Sequence, residues 1–281
     1  MMIEIDNFNL KIRESVANAL QEDIGSGDIT ASLIPENKSC KATIITRENA
    51  ILCGTQWASE SFLQVDDSLS LNWHFSDGNE IKINDTLLTI EGSSRSILTA
   101  ERTALNFLQT LSGTATRSRY YANLTISSGV KLLDTRKTLP GMRIAQKYAV
   151  SCGGCFNHRI GLYDAFLIKE NHISACGGIS NAINTAKKNH PDKPIEVEVE
   201  NLGQLKEAID TGCDTVMLDN FSLADTSLAV NLAEDKLKLE ASGGIDESTL
   251  LAIAKTGVDY ISLGTLTKSI EAIDLSLRIN T

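Results

Sequence analysis

From Val130 to Leu263 the chain repeats one pattern: a short apolar run, a polar link, then an amphipathic stretch at helical spacing. The apolar runs are VKLLD (130–134), AFLIK (165–169), IEVEV (195–199), DTVML (214–218), KLKLE (236–240) and DYISL (259–263). Between them lie MRIAQKYAVSC, ISNAINTAKKN, LGQLKEAID, SLADTSLAVNLA and ESTLLAIAKTG. Such alternation specifies parallel strands joined by crossover helices, so this part of the chain is α/β. No G-x-G-x-x-G follows the first strand, which favours a closed or nearly closed βα barrel over a Rossmann sheet. Six strands are fewer than eight, and an incomplete barrel is expected.

The first third reads differently. Asn9 to Asp23 has helical spacing and ends at GSGDIT, where Asp28 can cap. KATIITR, AILCG, LSLNWHF and TLLTIEG are β-rich, with turns at Asp77-Gly78 and Asn84-Asp85, and TQWASESFLQ between them is helical. This is an α+β module. Ser94 to Gly113 then forms a long helix with an apolar stripe through Ile97, Leu98, Ala104, Leu105, Leu108 and Leu111. Arg102 falls at the rim of that stripe, where spacing alone makes it a snorkelling or acid-paired residue.

The chain carries 26 basic and 36 acidic side chains, and its pI near 5.0 gives no extended field for nucleic acid. No run approaches the ~18 apolar residues of a spanning helix, and the acidic start lacks a signal-peptide pattern, so the cytosol is the expected compartment. Six scattered cysteines fit buried thiols in a reducing compartment. Cys152-Gly-Gly-Cys155 has redox or zinc spacing, but nothing in the sequence completes a tetrahedral set.

Against this acidic background, Asp134 to His172 holds six Lys and Arg (Arg136, Lys137, Arg143, Lys147, Arg159, Lys169) and two His (His158, His172) against three acids. In a βα barrel the reactive groups gather at the carboxyl ends of the strands. Those positions are Arg136 and Lys137, Lys169, Glu198 and Glu200, Asp219, then Glu240-Ala-Ser-Gly-Gly and Leu263-Gly-Thr. In IEVEVE the alternation turns Glu196, Glu198 and Glu200 into the barrel if the apolar set faces the helices; buried carboxylates then need nearby cations or a metal. An edge strand with solvated glutamates is the simpler alternative. Glu198 and Asp219, from adjacent strands, make a Mg²⁺ site completed by substrate oxygens and water. Ser242-Gly243-Gly244 and Leu263-Gly264-Thr265 have the form of phosphate loops, with a following helix N-terminus adding its dipole; tight turns are the plain alternative. A phosphate seat, a carboxylate pair and at least four cations suit phosphoribosyl transfer from a pyrophosphate donor to an acidic co-substrate.

The motifs EDIGSGDIT, ERTALNFLQTLSGTAT, DTRKTLPGMR, KYAVSCGGCFNHRIGLYDAFLIKENHI, IEVEVENL, VMLDNF, EASGGI and ISLGTLTKS resemble those of the quinolinate phosphoribosyltransferase family, also called carboxylating nicotinate-nucleotide pyrophosphorylases. The resemblance covers almost the whole chain. It implies an N-terminal α/β sandwich domain (1–112, joined by 268–281) and an incomplete βα barrel (113–267) carrying the site. It implies that Thr135, Arg136, Lys137, His158, Arg159 and Lys169 hold the carboxylates of quinolinate and the phosphates of phosphoribosyl pyrophosphate. Glu198 and Asp219 would face the ribose and Mg²⁺. Ser242 to Gly244 and Leu263 to Thr265 would seat the 5′-phosphate. Arg102 would reach the substrate across a homodimer, itself able to build a trimer of dimers. The implied products are nicotinate mononucleotide, CO₂ and pyrophosphate, in de novo NAD biosynthesis, with Lys137 or His158 delivering a proton. Two departures stand out: Cys155 where a third glycine is expected, and Lys268 where a histidine is expected. Three other readings stay open: a molybdenum-transport-associated sister family, a Schiff-base aldolase using Lys137 or Lys169, and a non-catalytic anion sensor.

Overall fold

The structure is a computed structural model, and it describes residues 7–234 and 236–280. The acidic opening residues 1–6, read above as carrying no signal, and Thr281 at the end of the joining segment lie outside that range. In chain order the elements are α1 (Phe8–Ile24), β1 (Ser39–Thr46), β2 (Ala50–Ile51), α2 (Thr55–Val65), β3 (Ser70–Trp73), β4 (Glu80–Ile81), β5 (Thr86–Ser93) and α3 (Ser94–Thr125). Then come β6 (Lys131–Leu133), α4 (Arg143–Cys152), β7 (Phe166–Ile168), α5 (Glu170–Cys176), α6 (Ile179–Asn189), β8 (Ile195–Val199), α7 (Leu202–Thr211) and β9 (Thr215–Asp219). The chain finishes with α8 (Leu223–Ala233), β10 (Lys238–Ser242), α9 (Glu247–Ala254), β11 (Tyr260–Ser262), α10 (Thr265–Lys268) and β12 (Leu275–Asn280). They form two compact units: residues 1–120, 138–154 and 265–281 in the first, and 121–137 with 155–264 in the second.

The first unit is built on an antiparallel sheet of order β12-β1-β5-β3. Period-two burial in β1 puts Ala42, Ile44 and Thr46 on one face, and pairing sets Ala42 against Ile90 and Ile44 against Leu88. The end of the chain returns here, with Leu277 of β12 opposite Ile44. Helix α3 runs twelve residues past the expected Gly113, so the boundary expected at 112/113 falls inside it. Its residues serve two cores: Ile97, Ala100, Ala104, Leu105 and Leu108 join the sheet, while Phe107, Leu111 and Ala115 join α1, α2 and α4. Helix α4 also belongs to this unit and not to the barrel. Ala145 and Ala149 are buried in that second core, Tyr148 packs at 5.6 Å from Trp57 and 5.4 Å from Phe8, and Gln146 donates to the Thr267 carbonyl at 2.9 Å. Asp28 caps the 31–33 turn, accepting from the amides of Thr30 and Ala31 at 2.9 and 3.0 Å.

The second unit is a parallel sheet of order β6-β11-β10-β9-β8-β7, an incomplete TIM-like barrel open between its two edge strands. Phe156 adds one parallel bridge to Leu133 on the β6 edge. The six strands lie where the apolar runs placed them, except that β10 begins two residues later, at Lys238. A helix not read from the sequence, α5, follows β7 directly. Side-chain caps start the helices after β8 and β9: Asn201 accepts from Gln204 and Ser222 from Asp225. Among the described residues, no helix is long and apolar enough to cross a membrane.

Candidate active site

Pairing brings the carboxyl ends of four neighbouring strands together. Ile168 pairs with Val197, which sets Lys169 beside Glu198, and Lys169 Nζ donates to Glu198 Oε2 in an ion pair. Val199 pairs with Leu218 and Asp219 with Ser242, so Glu198, Asp219 and the serine of SGG follow one another across β8, β9 and β10. Of the three glutamates of IEVEVE, Glu196 is buried and the Glu198 side chain is 11% exposed, whereas Glu200 lies past the strand end and is exposed. Glu198 and Asp219 offer oxygen donors from adjacent strands, the donor set that Mg²⁺ takes.

The two glycine loops are constrained by close approach. A Cβ at Gly243 (φ +94°) would stand 2.3 Å from Asn220 Oδ1, and Asn220, itself at φ +54°, donates its amide to the Ser242 carbonyl at 3.0 Å. A Cβ at Gly264 would meet Lys137 Cδ at 3.3 Å and Thr135 Oγ1 at 3.8 Å. Thr135 Oγ1 also accepts the Lys137 amide at 3.0 Å, so these three residues share one corner of the barrel mouth. The expected help from the helix after SGG is corrected. Asp246 caps α9, accepting from the amides of Ser248 and Thr249 at 2.9 and 3.2 Å, so a carboxylate already occupies that N-terminus. Leu263 is buried on the neighbouring strand, its amide bonded to the Leu133 carbonyl at 2.9 Å. In the first unit, the Thr265 hydroxyl accepts from Arg117 Nη2 at 2.7 Å.

His158 and Arg159 lie deeper than a barrel-top position. His158 Nε2 is 2.8 Å from Glu196 Oε2 and 3.4 Å from Glu240 Oε2, and Arg159 Nη1 donates to the Ala165 carbonyl at 3.1 Å. Both residues line a cavity of about 160 Å³ whose other walls include Phe166, Ile195, Thr215 and Tyr260, the first residues of their strands. Burial, and secondly the nearby Arg136 guanidinium, hold Arg159 below the usual arginine range, with Asp164 and Glu196 opposing. Arg136 and Arg159 thus add positive charge to the same region, which suits an anion. Burial first and the Glu196 carboxylate second push the Glu240 carboxyl up from 4.5 to about 8. The folded state keeps a proton that the unfolded chain gives up above 4.5, so this contribution is complete below 4.5 and is lost as pH rises to about 8. Thermal midpoints measured across that range should fall with rising pH, and Glu240→Gln should flatten the slope.

Other candidates lie elsewhere. Arg102 is exposed on α3 of the first unit, as is Lys268 at the end of α10. Of the six cations in the 134–172 stretch, Lys147 is buried in the first unit, and Arg143 in the same unit donates from Nε to Thr138 Oγ1 at 3.2 Å. His172 closes a capping box, its Nδ1 accepting the Lys169 amide at 3.0 Å. The cysteines are all free; Cys53, Cys155 and Cys213 are buried, but Cys176 is exposed. Cys155 has no left-handed backbone, so a side chain in place of glycine costs no strain there.

Two family models match the chain. The N-terminal domain of quinolinate phosphoribosyl transferase matches residues 28–112, and its C-terminal domain matches residues 114–278. The chain belongs to the quinolinate phosphoribosyl transferase family. Within the family it is 39% identical over 273 residues to a probable carboxylating nicotinate-nucleotide pyrophosphorylase of Bacillus subtilis, covering 96% of this chain and 94% of that one. It is 38% identical to the decarboxylating quinolinate phosphoribosyltransferase 1 of Nicotiana glauca, over 94% of this chain and 81% of the relative. The structure of the nicotinate-nucleotide pyrophosphorylase from Francisella tularensis superposes with a TM-score of 0.92 at 52% identity, covering 97% of each chain.

Two residues that carry no role in the sequence motifs alone, Asp134 and Asn220, hold this family's motifs in place. Asp134, fully buried, accepts from Asn157 Nδ2 at 2.6 Å and from the His158 amide at 2.9 Å, tying the β6 end to the 157–159 loop. Asn220 locks the SGG loop as described. Asp134 and Asn220 each follow an apolar strand, a position that signals a role without naming the partner.

Proposed function

We propose that this chain is a quinolinate phosphoribosyltransferase, joining quinolinate to phosphoribosyl pyrophosphate and releasing nicotinate mononucleotide, pyrophosphate and CO₂ in de novo NAD biosynthesis. The observation that carries this reading is that both domain models of the family match, together spanning residues 28–278 but for one position. Arg136, Arg159 and Lys169 neutralise the two carboxylates of the pyridine acid, and Thr135 and Lys137 complete the mouth. Ser242, Gly243 and Gly244 present backbone amides to the 5′-phosphate, with Leu263 and Gly264 beside them at the end of the neighbouring strand.

Glu198 and Asp219 would hold Mg²⁺, which would supply charge neutralisation for the leaving pyrophosphate. As the C–O bond to pyrophosphate breaks, positive character grows at the ribose carbon, and carboxylates beside it stabilise that charge. The cations fix the ring nitrogen in line with that carbon. Once the nitrogen is bonded, the positive ring takes up the electron pair freed as the adjacent carboxylate leaves as CO₂; a proton then ends on that ring carbon. Lys137, exposed at the mouth, is the proton donor. Both ring nitrogens of His158 are already engaged.

Carboxyl-labelled quinolinate, the donor and Mg²⁺ should yield CO₂ and pyrophosphate one for one. Absence of both, with the ligands still bound, would favour an anion sensor. The protein works in the cytoplasm as a homodimer in which Arg102 of one subunit completes the partner's site. Arg102→Ala should therefore give a folded, poorly active dimer, and mixing it with Lys169→Ala should restore part of the activity. Failure of that complementation would mean that each site is built from one chain.

A further inference from the structure

We propose that His158 is a positioning residue, a neutral strut between the buried Glu196–Glu240 pair and the Arg159 main chain, and not a ligand of the substrate. The assignment rests on which atom faces which. Arg159 N–H points at His158 Nδ1 at 2.8 Å, so Nδ1 must be an acceptor and the ring proton must sit on Nε2. Nε2 in turn faces Glu196 Oε2 at 2.8 Å, which accepts that proton, and lies 3.4 Å from Glu240 Oε2, with 12% of the His158 side chain exposed. No nitrogen is left for a carboxylate or a transferred proton.

The same geometry argues against a metal here. His158 and one oxygen from each glutamate lie within 4.8 Å of one another, a spacing that could hold a cation. Binding one would take the Nε2 lone pair and move the proton to Nδ1, setting N–H against the N–H of Arg159.

The segment is pinned on every side. Asp134 holds the His158 amide and the Asn157 side chain, and Asp164 accepts the amides of Ile160 and Gly161 at 2.6 and 3.0 Å. The strut thus fixes the backbone from which Arg159 extends toward Ala165.

This inference rests on the proposed activity for its kinetic test but not for its spectroscopic one. Nitrogen-15 NMR of the full chain labelled at its four histidines, assigned by loss of one signal in His158→Gln, should show His158 with a bare Nδ1 and a protonated Nε2. Adding quinolinate should leave that pattern unchanged. An imidazolium or an Nδ1–H tautomer in the free protein would overturn the proposal, whatever the enzyme does. Kinetically, His158→Gln keeps a neutral donor toward the glutamates and should stay within a few-fold of wild type, whereas His158→Leu should raise the KM for quinolinate about tenfold or more with a smaller change in kcat. Equal losses of kcat in both variants at unchanged KM would also overturn it. If His158→Leu does not fold, the glutamine variant and the wild-type spectrum still decide.

Discussion

Arg136→Ala and Lys169→Ala should each lower kcat/KM for quinolinate by about 10²- to 10³-fold or more, the size of removing a charged partner from a desolvated anion site, while thermal unfolding changes little. The reason is local. Arg136 and Arg159 carry like charges that disfavour each other, so the loss of Arg136 removes a cation proposed to bind substrate without breaking a favourable pair between the two. Lys169, whose side chain is 42% exposed, pairs with Glu198, so water can reach that carboxylate once the lysine is gone and the loss falls mainly on substrate binding. Steady-state kinetics at saturating donor, together with a melting curve, would check both parts. A variant with normal turnover would show that the cationic pocket has been assigned to the wrong side chains.

Gly243→Ala should be the most damaging single methyl group in the barrel. At φ +94° an alanine is strained in any surroundings, and here its Cβ would lie 2.3 Å from Asn220 Oδ1 and 3.0 Å from the Asn220 amide. The loop must shift, and with it the amides proposed to face the 5′-phosphate, so kcat/KM for phosphoribosyl pyrophosphate should fall by about 10²-fold. Adding Asn220→Gly removes the side-chain clash but not the backbone strain, so the double variant should recover only part of the loss. Gly244→Ala, at φ +58° with its nearest neighbour 4.0 Å away, should cost less. Equal effects at 243 and 244 would mean that positive φ alone, and not the approach to Asn220, sets the requirement.

Much of this was legible in the residues themselves. Strand positions, the turn of Glu196 and Glu198 toward the interior, and the glycine loops follow from periods of two and 3.6 and from where glycine must stand. Lys169 beside Glu198 could be read as a need for a cation near a buried acid, and the structure supplies the pair. Periodicity also failed in a specific way. Helix α4 has an apolar face that suits a barrel as well as a sandwich, and it joined the first unit because Trp57 and Phe8 receive Tyr148 there.

The chain alone therefore determined the βα order, the incomplete barrel, the families of motifs and the faces on which charged groups lie. Tertiary structure decided the pairings. His158 meets Glu196 and Glu240, and Gly243 meets Asn220, across sequence separations that no local repeat spans. A residue's own period fixes the direction in which its side chain leaves the backbone, but the tautomer of an imidazole and the charge of a buried carboxyl depend on atoms brought there from other strands.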